Sequence, residues 1–172
     1  MAATPTFAPA ASGASDTRTI TISSTTPGMT FRYTTDGSTP TNSYGTVGTS
    51  VSVSTNCSVK AICYGSGYQD SAVGSAAYTI TVATPSFDKG AGTYSGNQTV
   101  NISCATAGVT TRYTTDGSAP TSAGNGTVGT SASIAGSCTL KAIAYRAGCT
   151  DSAVQSAAYT ISKGSNLGMI IS

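Results

Sequence analysis

The sequence predicts an all-β protein that consists of two tandem β-sandwiches. Three observations lead to this fold class. The second half of the 172-residue chain repeats the first half segment by segment. Within each half, apolar residues alternate with polar ones, which is typical of strands that bury one face. An Asp-Gly pair, which favours a tight turn, follows a strand-like run at the same place in each half.

The repeat defines the domain organisation. Residues 32–38 read R-Y-T-T-D-G-S and return unchanged as residues 112–118. The predicted domains are a first sandwich over residues 1–82, a second over residues 83–163 and an apolar tail over residues 164–172. Each copy has roughly 80 residues, which is enough for a small sandwich with its own core. Further segments at 3–7, 59–62, 70–73 and 77–80 return, with small changes, at 83–87, 140–143, 151–154 and 158–161.

The strands of each copy are predicted from apolar residues spaced two apart. In the first copy Ile20 and Ile22 alternate with threonine, and Val51 and Val53 alternate with serine. Side chains two apart point to the same face of a strand, so these residues are predicted to face the core. About six or seven short strands separated by turns give a two-sheet sandwich. The same spacing assigns further core positions, namely Met29, Phe31, Tyr33, Ala76, Tyr78 and Ile80.

The junction between the copies is short. Residues 79–82 run directly into A-T-P at 83–85, with no Gly/Ser-rich stretch between them. Flexible linkers are rich in glycine and serine, so this junction predicts little freedom. We therefore expect the two sandwiches to form a stiff rod.

Both copies carry the same ordered set of motifs across residues 3–161. The set is A-T-P-x-F, G-x-T-x-R-Y-T-T-D-G-S-x-P-T, K-A-I-x-Y, D-S-A-V and A-A-Y-T-I. It resembles the chitobiase/β-hexosaminidase C-terminal-type repeat, also called the fibronectin type III-associated module. The resemblance implies an immunoglobulin-like sandwich for each copy. It also implies a non-catalytic module of the kind appended to bacterial enzymes, surface proteins and phage structural proteins.

The charge pattern argues against a nucleic-acid partner. Residues 1–82 contain three Asp and three Lys or Arg, and the net charge of +2 arises entirely in residues 83–172. A nucleic-acid-binding surface normally shows a concentrated basic stripe, and this sequence has none. The longest apolar run, at 169–171, is far too short to span a bilayer.

The sequence offers few resources for catalysis or metal binding. It contains no His, so it has no imidazole base and no Ser-His pair. Asp36 and Asp116 recur at the same turn and are interpreted as turn residues. Asp70 and Asp151 could add weak calcium ligands, but calcium requires six or more oxygens, and no acidic cluster supplies them. We expect no catalytic residue, no cofactor and no metal site.

Three tyrosines are candidates for ligand contact. Tyr44, Tyr68 and Tyr94 fall in loop-like surroundings, and none of them has an aromatic counterpart in the other copy. Exposed aromatic rings could stack on sugar faces, so carbohydrate remains a candidate ligand. The alternative is that these tyrosines are half-buried packing residues.

The five cysteines leave at least one unpaired. Cys104 lies near the end of the second predicted strand of its copy and Cys138 enters the sixth, so the two could form a bridge across the sandwich. Buried free thiols that act as small hydrophobes are an equally good interpretation. Unpaired cysteines are more typical of a protein assembled in a cytosol than of a secreted one.

The C-terminal tail is the most suggestive segment. A K-G-S spacer at 163–165 is followed by the apolar side chains Leu167, Met169, Ile170 and Ile171. These residues could fold back on their own sandwich, or could add as a strand or anchor to a neighbouring subunit. A third alternative is that the tail has no role.

Two functions remain from the sequence. The first is a structural subunit or decoration of a larger assembly, such as a phage capsid, a tail or an extracellular filament. Its partners would be copies of itself or another capsid, tail or filament protein, on a virion or an extracellular surface. No signal peptide is visible at the N-terminus, which fits this interpretation. The alternative is a carbohydrate- or surface-binding accessory module of a secreted bacterial enzyme.

Overall fold

The computed structural model describes residues 1–11, 13–14 and 16–162, and in them it contains sixteen β-strands and no helix. The predicted all-β fold class is therefore confirmed. The chain divides into two compact units. The first is Met1–Thr81 together with Ala147–Thr150, and the second is Val82–Arg146 together with the described residues from Asp151 to Ser162. The stiff rod stays a prediction.

Repeat 1 forms two β-sheets. Its strands are β1 (Thr6–Ala8), β2 (Gly13–Ala14), β3 (Arg18–Ser23), β4 (Thr30–Thr34), β5 (Thr46–Val47), β6 (Ser50–Val53), β7 (Cys57–Tyr64) and β8 (Gly74–Ile80). One sheet has the order β1-β3-β6, and the other has the order β2-β8-β7-β4-β5. β2 pairs with β8 in parallel, whereas the remaining pairs are antiparallel.

Repeat 2 has the same topology. Its strands are β9 (Ser86–Phe87), β10 (Gly92–Ser95), β11 (Gln98–Ser103), β12 (Thr110–Thr114), β13 (Thr127–Val128), β14 (Ser131–Ile134), β15 (Cys138–Tyr145) and β16 (Gln155–Ser162). Its sheets have the orders β14-β11-β9 and β10-β16-β15-β12-β13. β10 pairs in parallel with β16. Two packed sheets of mostly antiparallel strands make each repeat an immunoglobulin-like sandwich.

Each repeat has its own apolar core between its sheets. Of the core positions predicted in repeat 1, Ile20, Ile22, Phe31, Val51, Val53, Tyr78 and Ile80 are buried, whereas Met29, Tyr33 and Ala76 are only partly buried. The core cluster of repeat 2 consists of Val100, Ala132, Ile134, Leu140, Ala157 and Tyr159. The alternating pattern therefore identified the inward faces correctly.

The Asp-Gly turn is held by the same hydrogen bonds in both repeats. The Asp36 carboxylate accepts a hydrogen bond from the Ser38 N–H at 3.0 Å and another from the Ser38 hydroxyl at 2.6 Å. Gly37 supplies a φ of 80°, which favours glycine. In repeat 2 the corresponding distances from Ser118 to Asp116 are 2.9 and 2.6 Å. The repeated carboxylates therefore stabilise turns.

The serine of the D-S-A-V motif accepts a hydrogen bond from a backbone N–H near the end of a central strand, β7 in repeat 1 and β15 in repeat 2. The buried Ser71 hydroxyl accepts a hydrogen bond from the Cys63 N–H at 3.0 Å and donates one to the Ala72 carbonyl at 2.8 Å. Ser152 does the same for the Ala144 N–H at 2.9 Å. A buried N–H without a partner is costly, so this serine has a structural role in each repeat.

The turn carboxylates predict a loss of stability at acid pH. Hydrogen bonds from the Ser38 hydroxyl and N–H hold the pKa of Asp36 below its ordinary value, and Ser118 acts likewise on the pKa of Asp116. A lowered folded-state pKa contributes stability that is present above the unfolded-state pKa and is lost as the pH falls through the folded-state pKa. We therefore expect the melting temperature to fall as the pH drops below about 4.

The measurement is a ¹³C carboxyl titration by NMR, combined with thermal melts between neutral and strongly acid pH. The control is the double variant Asp36→Asn, Asp116→Asn, which keeps an acceptor but cannot titrate, so its melting temperature should depend less on pH. Midpoints for Asp36 and Asp116 at or above the ordinary aspartate value would contradict the prediction.

Candidate functional site

An open groove of about 380 Å³ lies on repeat 1 beside the Asp-Gly turn. Tyr44, in the loop between β4 and β5, lines this groove and is 53% exposed. Its hydroxyl lies 3.3 Å from the Ser38 hydroxyl, which itself donates to Asp36. Arg32 holds the loop by donating hydrogen bonds to two of its carbonyls. The groove therefore combines one exposed aromatic ring with a carboxylate and hydroxyl groups.

The corresponding position in repeat 2 carries an amide instead of a ring. Asn125 lies in the loop between β12 and β13, which corresponds to the loop that carries Tyr44. It donates hydrogen bonds to the Ser118 hydroxyl at 3.3 Å and to the Ala119 carbonyl at 2.6 Å. Tyr44 and Asn125 therefore contact equivalent serines. Only the tyrosine presents an aromatic face, so the aromatic groove is specific to repeat 1.

The other two candidate tyrosines lie elsewhere. Tyr68 is 48% exposed in the turn between β7 and β8, and its N–H donates to the Gly65 carbonyl. Tyr94 lies on β10 and not in a loop. Its ring packs against the buried Tyr159, with the ring centroids 5.9 Å apart. The structure therefore does not bring the three tyrosines together, and Tyr94 is a packing residue.

The cysteines form no disulfide among the described residues, which include all five of them. The Cys104 thiol donates to the Ala83 carbonyl at 3.2 Å, as the Ser24 hydroxyl in repeat 1 does to the Ala3 carbonyl at 2.9 Å. Cys138 packs against the core of repeat 2, where desolvation raises its pKa. The bridge between Cys104 and Cys138 is therefore absent, and both residues are thiols.

The acidic residues outside the Asp-Gly turns also have local partners. The Asp151 carboxylate accepts a hydrogen bond from the Ser122 hydroxyl at 2.5 Å, and the Asp88 carboxylate accepts two from Asn101 at 2.7 Å. Those bonds lower the pKa of Asp88. Within residues 1–11, 13–14 and 16–162, no group of three or more acidic or cysteine side chains is placed to hold a metal ion.

A second groove, of about 350 Å³, lies on repeat 2 and was not predicted from the sequence. We call it the repeat-2 groove. It lies between the end of β11, the start of β12 and the connection from β13 to β14. None of its lining residues is charged, and they are Ile102, Ser103, Cys104, Val109, Thr110, Thr111, Val128, Gly129 and Thr130.

A sequence signal for this groove exists at the two variable positions of the G-x-T-x-R-Y motif. Repeat 1 has Met29 and Phe31 there, whereas repeat 2 has Val109 and Thr111. Phe31 is 8% exposed and belongs to the core of its repeat. Smaller side chains at both positions leave space in repeat 2, and that substitution could have identified the groove.

The tail residues Leu167, Met169, Ile170 and Ile171 lie outside the described residues. The structure therefore reports nothing about the four side chains that were predicted to mediate assembly. In the part of the chain that is described, no helix is long and apolar enough to cross a membrane.

The fold and these sites define a class of protein: a tandem immunoglobulin-like module whose repeated polar residues stabilise turns and strand ends. Comparison with protein families agrees with this class. Residues 89–156 match the family described as chitobiase/beta-hexosaminidase C-terminal domain, and residues 20–78 match the family described as Fn3 associated. The family resemblance of the shared motifs is thus confirmed, with one match in each repeat. Both families are accessory modules and not catalytic domains.

Solved structures with a similar arrangement share little sequence with this chain. The fibronectin(III)-like modules of Clostridium thermocellum CbhA are 13% identical with a TM-score of 0.35, and the match covers 92% of this chain and 94% of that chain. The BSP domain of a biofilm associated protein is 16% identical with a TM-score of 0.28, covering 92% and 29%. Extracellular domains 3–5 of Drosophila OTK are 11% identical with a TM-score of 0.33, covering 92% and 62%. None of the curated proteins matches the chain.

Proposed function

We propose that this protein is a non-enzymatic subunit or decoration of a larger assembly, such as a phage capsid, a phage tail or an extracellular filament. It docks on protein partners through edge strands and its apolar tail, and its place is a virion or an extracellular surface. The observation that carries this proposal is the difference between the two repeats. Polar residues that recur in both repeats, such as Asp36 and Asp116, hold turns. Specific function is therefore assigned to exposed features that do not hold these turns, above all to the unshared tail.

Exposed apolar residues at sheet edges support docking on protein. β5 and β13 are the outer strands of their sheets, and each ends in a valine, Val47 or Val128, that is 55% exposed. An edge strand offers unpaired backbone groups to a partner strand, and apolar side chains beside it add contact area. The unshared apolar residues Leu167, Met169, Ile170 and Ile171 supply a segment that could dock in this way.

Deletion of residues 166–172 tests this proposal. We expect the shortened chain to lose self-association or incorporation into its assembly, because the apolar docking segment is gone. The thermal melt of the sandwiches should change little, because the deletion keeps every residue of the two described core clusters. Unchanged association after the deletion would contradict docking through the tail.

One observation favours carbohydrate binding as a second candidate function. The exposed Tyr44 ring stands beside Asp36 and Thr46 in an open groove, which is a chemistry that suits a sugar face and its hydroxyl groups. A glycan array would test it with the variant Tyr44→Ala and the control Tyr68→Ala. Loss of a glycan signal in the first variant alone would support this candidate, and an array without any signal would remove it.

A further inference from the structure

The repeat-2 groove exists because repeat 2 lacks two large apolar side chains. In repeat 1, Phe31 joins Ile22 and other residues in one continuous core cluster. In repeat 2 the equivalent of Ile22 is Ile102, which is 4% exposed but lies outside the core cluster of its repeat. Thr111, the equivalent of Phe31, uses its hydroxyl to donate to the Gly129 carbonyl at 2.6 Å. The space that a phenylalanine would occupy beside Ile102 is therefore part of the repeat-2 groove.

The replacement of Met29 by Val109 also removes side-chain volume from repeat 2, and a neighbouring residue differs between the repeats as well. In repeat 1 a Cβ on Gly65 would lie 2.6 Å from the Met29 methyl group, so this glycine gives the methionine its space. Repeat 2 has Val109 in place of Met29 and Arg146 in place of Gly65. The Arg146 guanidinium donates to the Ala107 carbonyl at 2.9 Å. Repeat 2 is thus adapted to a shorter side chain at position 109.

We infer that the repeat-2 groove receives the apolar tail, residues 166–172, of a second copy of this chain. This inference rests on the proposed function and names the partner surface for it. The two sides match in chemistry, because neither the groove lining nor the segment N-L-G-M-I-I-S contains a charged side chain. Burial of the apolar tail side chains against this lining is favourable, because it removes apolar surface from water.

The position of the groove within repeat 2 favours the tail of another copy over the chain's own tail. Ser162 is the last described residue and lies beyond Tyr159, which pairs with Cys138 at one end of β15. The groove residue Thr110 pairs with Tyr145 at the opposite end of that strand. The strand has eight residues, or about 25 Å.

A chain's own tail would have to reverse direction after Ser162 and run nearly fully extended to reach the groove. Residues 167–171 follow Ser162 by five to nine positions, which corresponds to at most about 16–32 Å of extended chain. In that conformation most of the tail residues would only bridge the gap between Ser162 and the groove, and few would remain to enter the groove. A neighbouring copy has no such constraint, and a tail bound in this way links copies head to tail.

The edge beside the groove provides backbone partners as well. β13 pairs with β12 on one side only, and its residue Val128 lines the groove and is 55% exposed. An incoming extended segment can pair with such an edge while its alternate side chains enter the groove. Apolar burial and strand pairing therefore act together at the same place.

The test is sedimentation velocity on the full chain under reducing conditions, over a range of protein concentrations. The variant Val128→Asp places a charge at the groove and should weaken self-association about tenfold or more, because a buried unpaired charge is costly. The matched control is Val154→Asp in the same repeat, an exposed valine that does not line the groove. The control should associate like the wild type.

A second variant distinguishes a loss of groove binding from a folding defect in Val128→Asp. Thr111→Phe introduces the residue that repeat 1 already carries and fills the groove, so it should weaken association without adding charge. A second readout is the rate of Cys104 alkylation, because the thiol lines the groove and should be protected at high chain concentration, whereas Cys138 should show no change.

The possible outcomes separate this inference from the proposed function. If the 166–172 deletion weakens association but Val128→Asp and Thr111→Phe do not, the groove assignment is overturned and docking through the tail stands. If the deletion has no effect, both are overturned. Protection of Cys104 that does not depend on chain concentration, but is lost when residues 166–172 are deleted, would show that the chain's own tail occupies the groove, which also overturns the inference.

Discussion

Tyr159→Ala is expected to lower the free energy of unfolding of repeat 2 by about 3–5 kcal/mol. The Tyr159 side chain is only 1% exposed, and its ring packs in the repeat 2 core against Tyr94. Its hydroxyl also donates a hydrogen bond to the Lys89 carbonyl at 2.6 Å, which connects β16 to the segment before β10. The variant loses the buried ring and leaves that carbonyl without its partner.

Urea unfolding, followed by NMR signals assigned to β15 and β16, would measure this loss. Tyr159→Phe separates the two contributions, because it keeps the ring and removes only the hydrogen bond, at a cost of about 1 kcal/mol. Tyr44→Ala is the surface control and should stay within about 0.5 kcal/mol of the wild type. A cost below about 1 kcal/mol for Tyr159→Ala would mean that this ring is not a central part of the core.

Gly126→Ala is the other substitution with a large expected effect, about 2–4 kcal/mol of lost stability. Gly126 has a φ of +104°, and an added Cβ would lie 2.6 Å from the Tyr113 carbonyl oxygen. The backbone conformation and the close approach both require glycine, so the loop before β13 would have to move. Because β13 borders the repeat-2 groove, the groove should be distorted as well.

Thermal and urea unfolding would measure this effect, and the chain offers two comparisons. Gly45→Ala, the equivalent change in repeat 1, should also destabilise, since its Cβ would lie 2.9 Å from the Tyr33 carbonyl oxygen at a φ of +110°. Gly136→Ala should be nearly neutral, because nothing lies within 4 Å of its Cβ position. If Gly126→Ala is as stable as the wild type and as Gly136→Ala, the glycine at 126 is not required.

Much of the fold could be predicted because the sequence carries two copies of the same information. The alternation at Ile20 and Ile22 identified inward-facing positions, since side chains two apart share a face of a strand. The Asp-Gly pair identified a turn, because the Asp36 carboxylate accepts a hydrogen bond from the backbone N–H two residues later and Gly37 accepts a positive φ. Recurrence of each pattern in the second copy showed that it was not accidental.

Other features depend on contacts that a linear pattern does not encode. The parallel pairing of β10 with β16 joins segments far apart in the chain, and it places Tyr94 on a strand where the sequence had suggested a loop. The cysteine bridge also failed, because Cys104 takes the hydrogen-bonding position of a serine in the other repeat. Short local patterns leave such pairings undetermined.

The candidate sites were only partly accessible from the sequence, for a related reason. Tyr44 could be singled out because repeat 2 has no ring at that position, and the structure does place it on an open groove. The repeat-2 groove was missed because it is made by small residues, Val109 and Thr111, and is visible only as a difference from Met29 and Phe31. Absent volume is harder to detect in a sequence than a reactive side chain.

Docking to other protein chains, foremost to copies of itself, is the function that we propose for this protein. The most direct measurement is the mass of the intact chain in solution, by light scattering across a wide range of concentrations under reducing conditions. We expect a mass that rises above that of one chain as the concentration increases. A single-chain mass at every concentration, together with glycan binding that is lost in Tyr44→Ala, would contradict it.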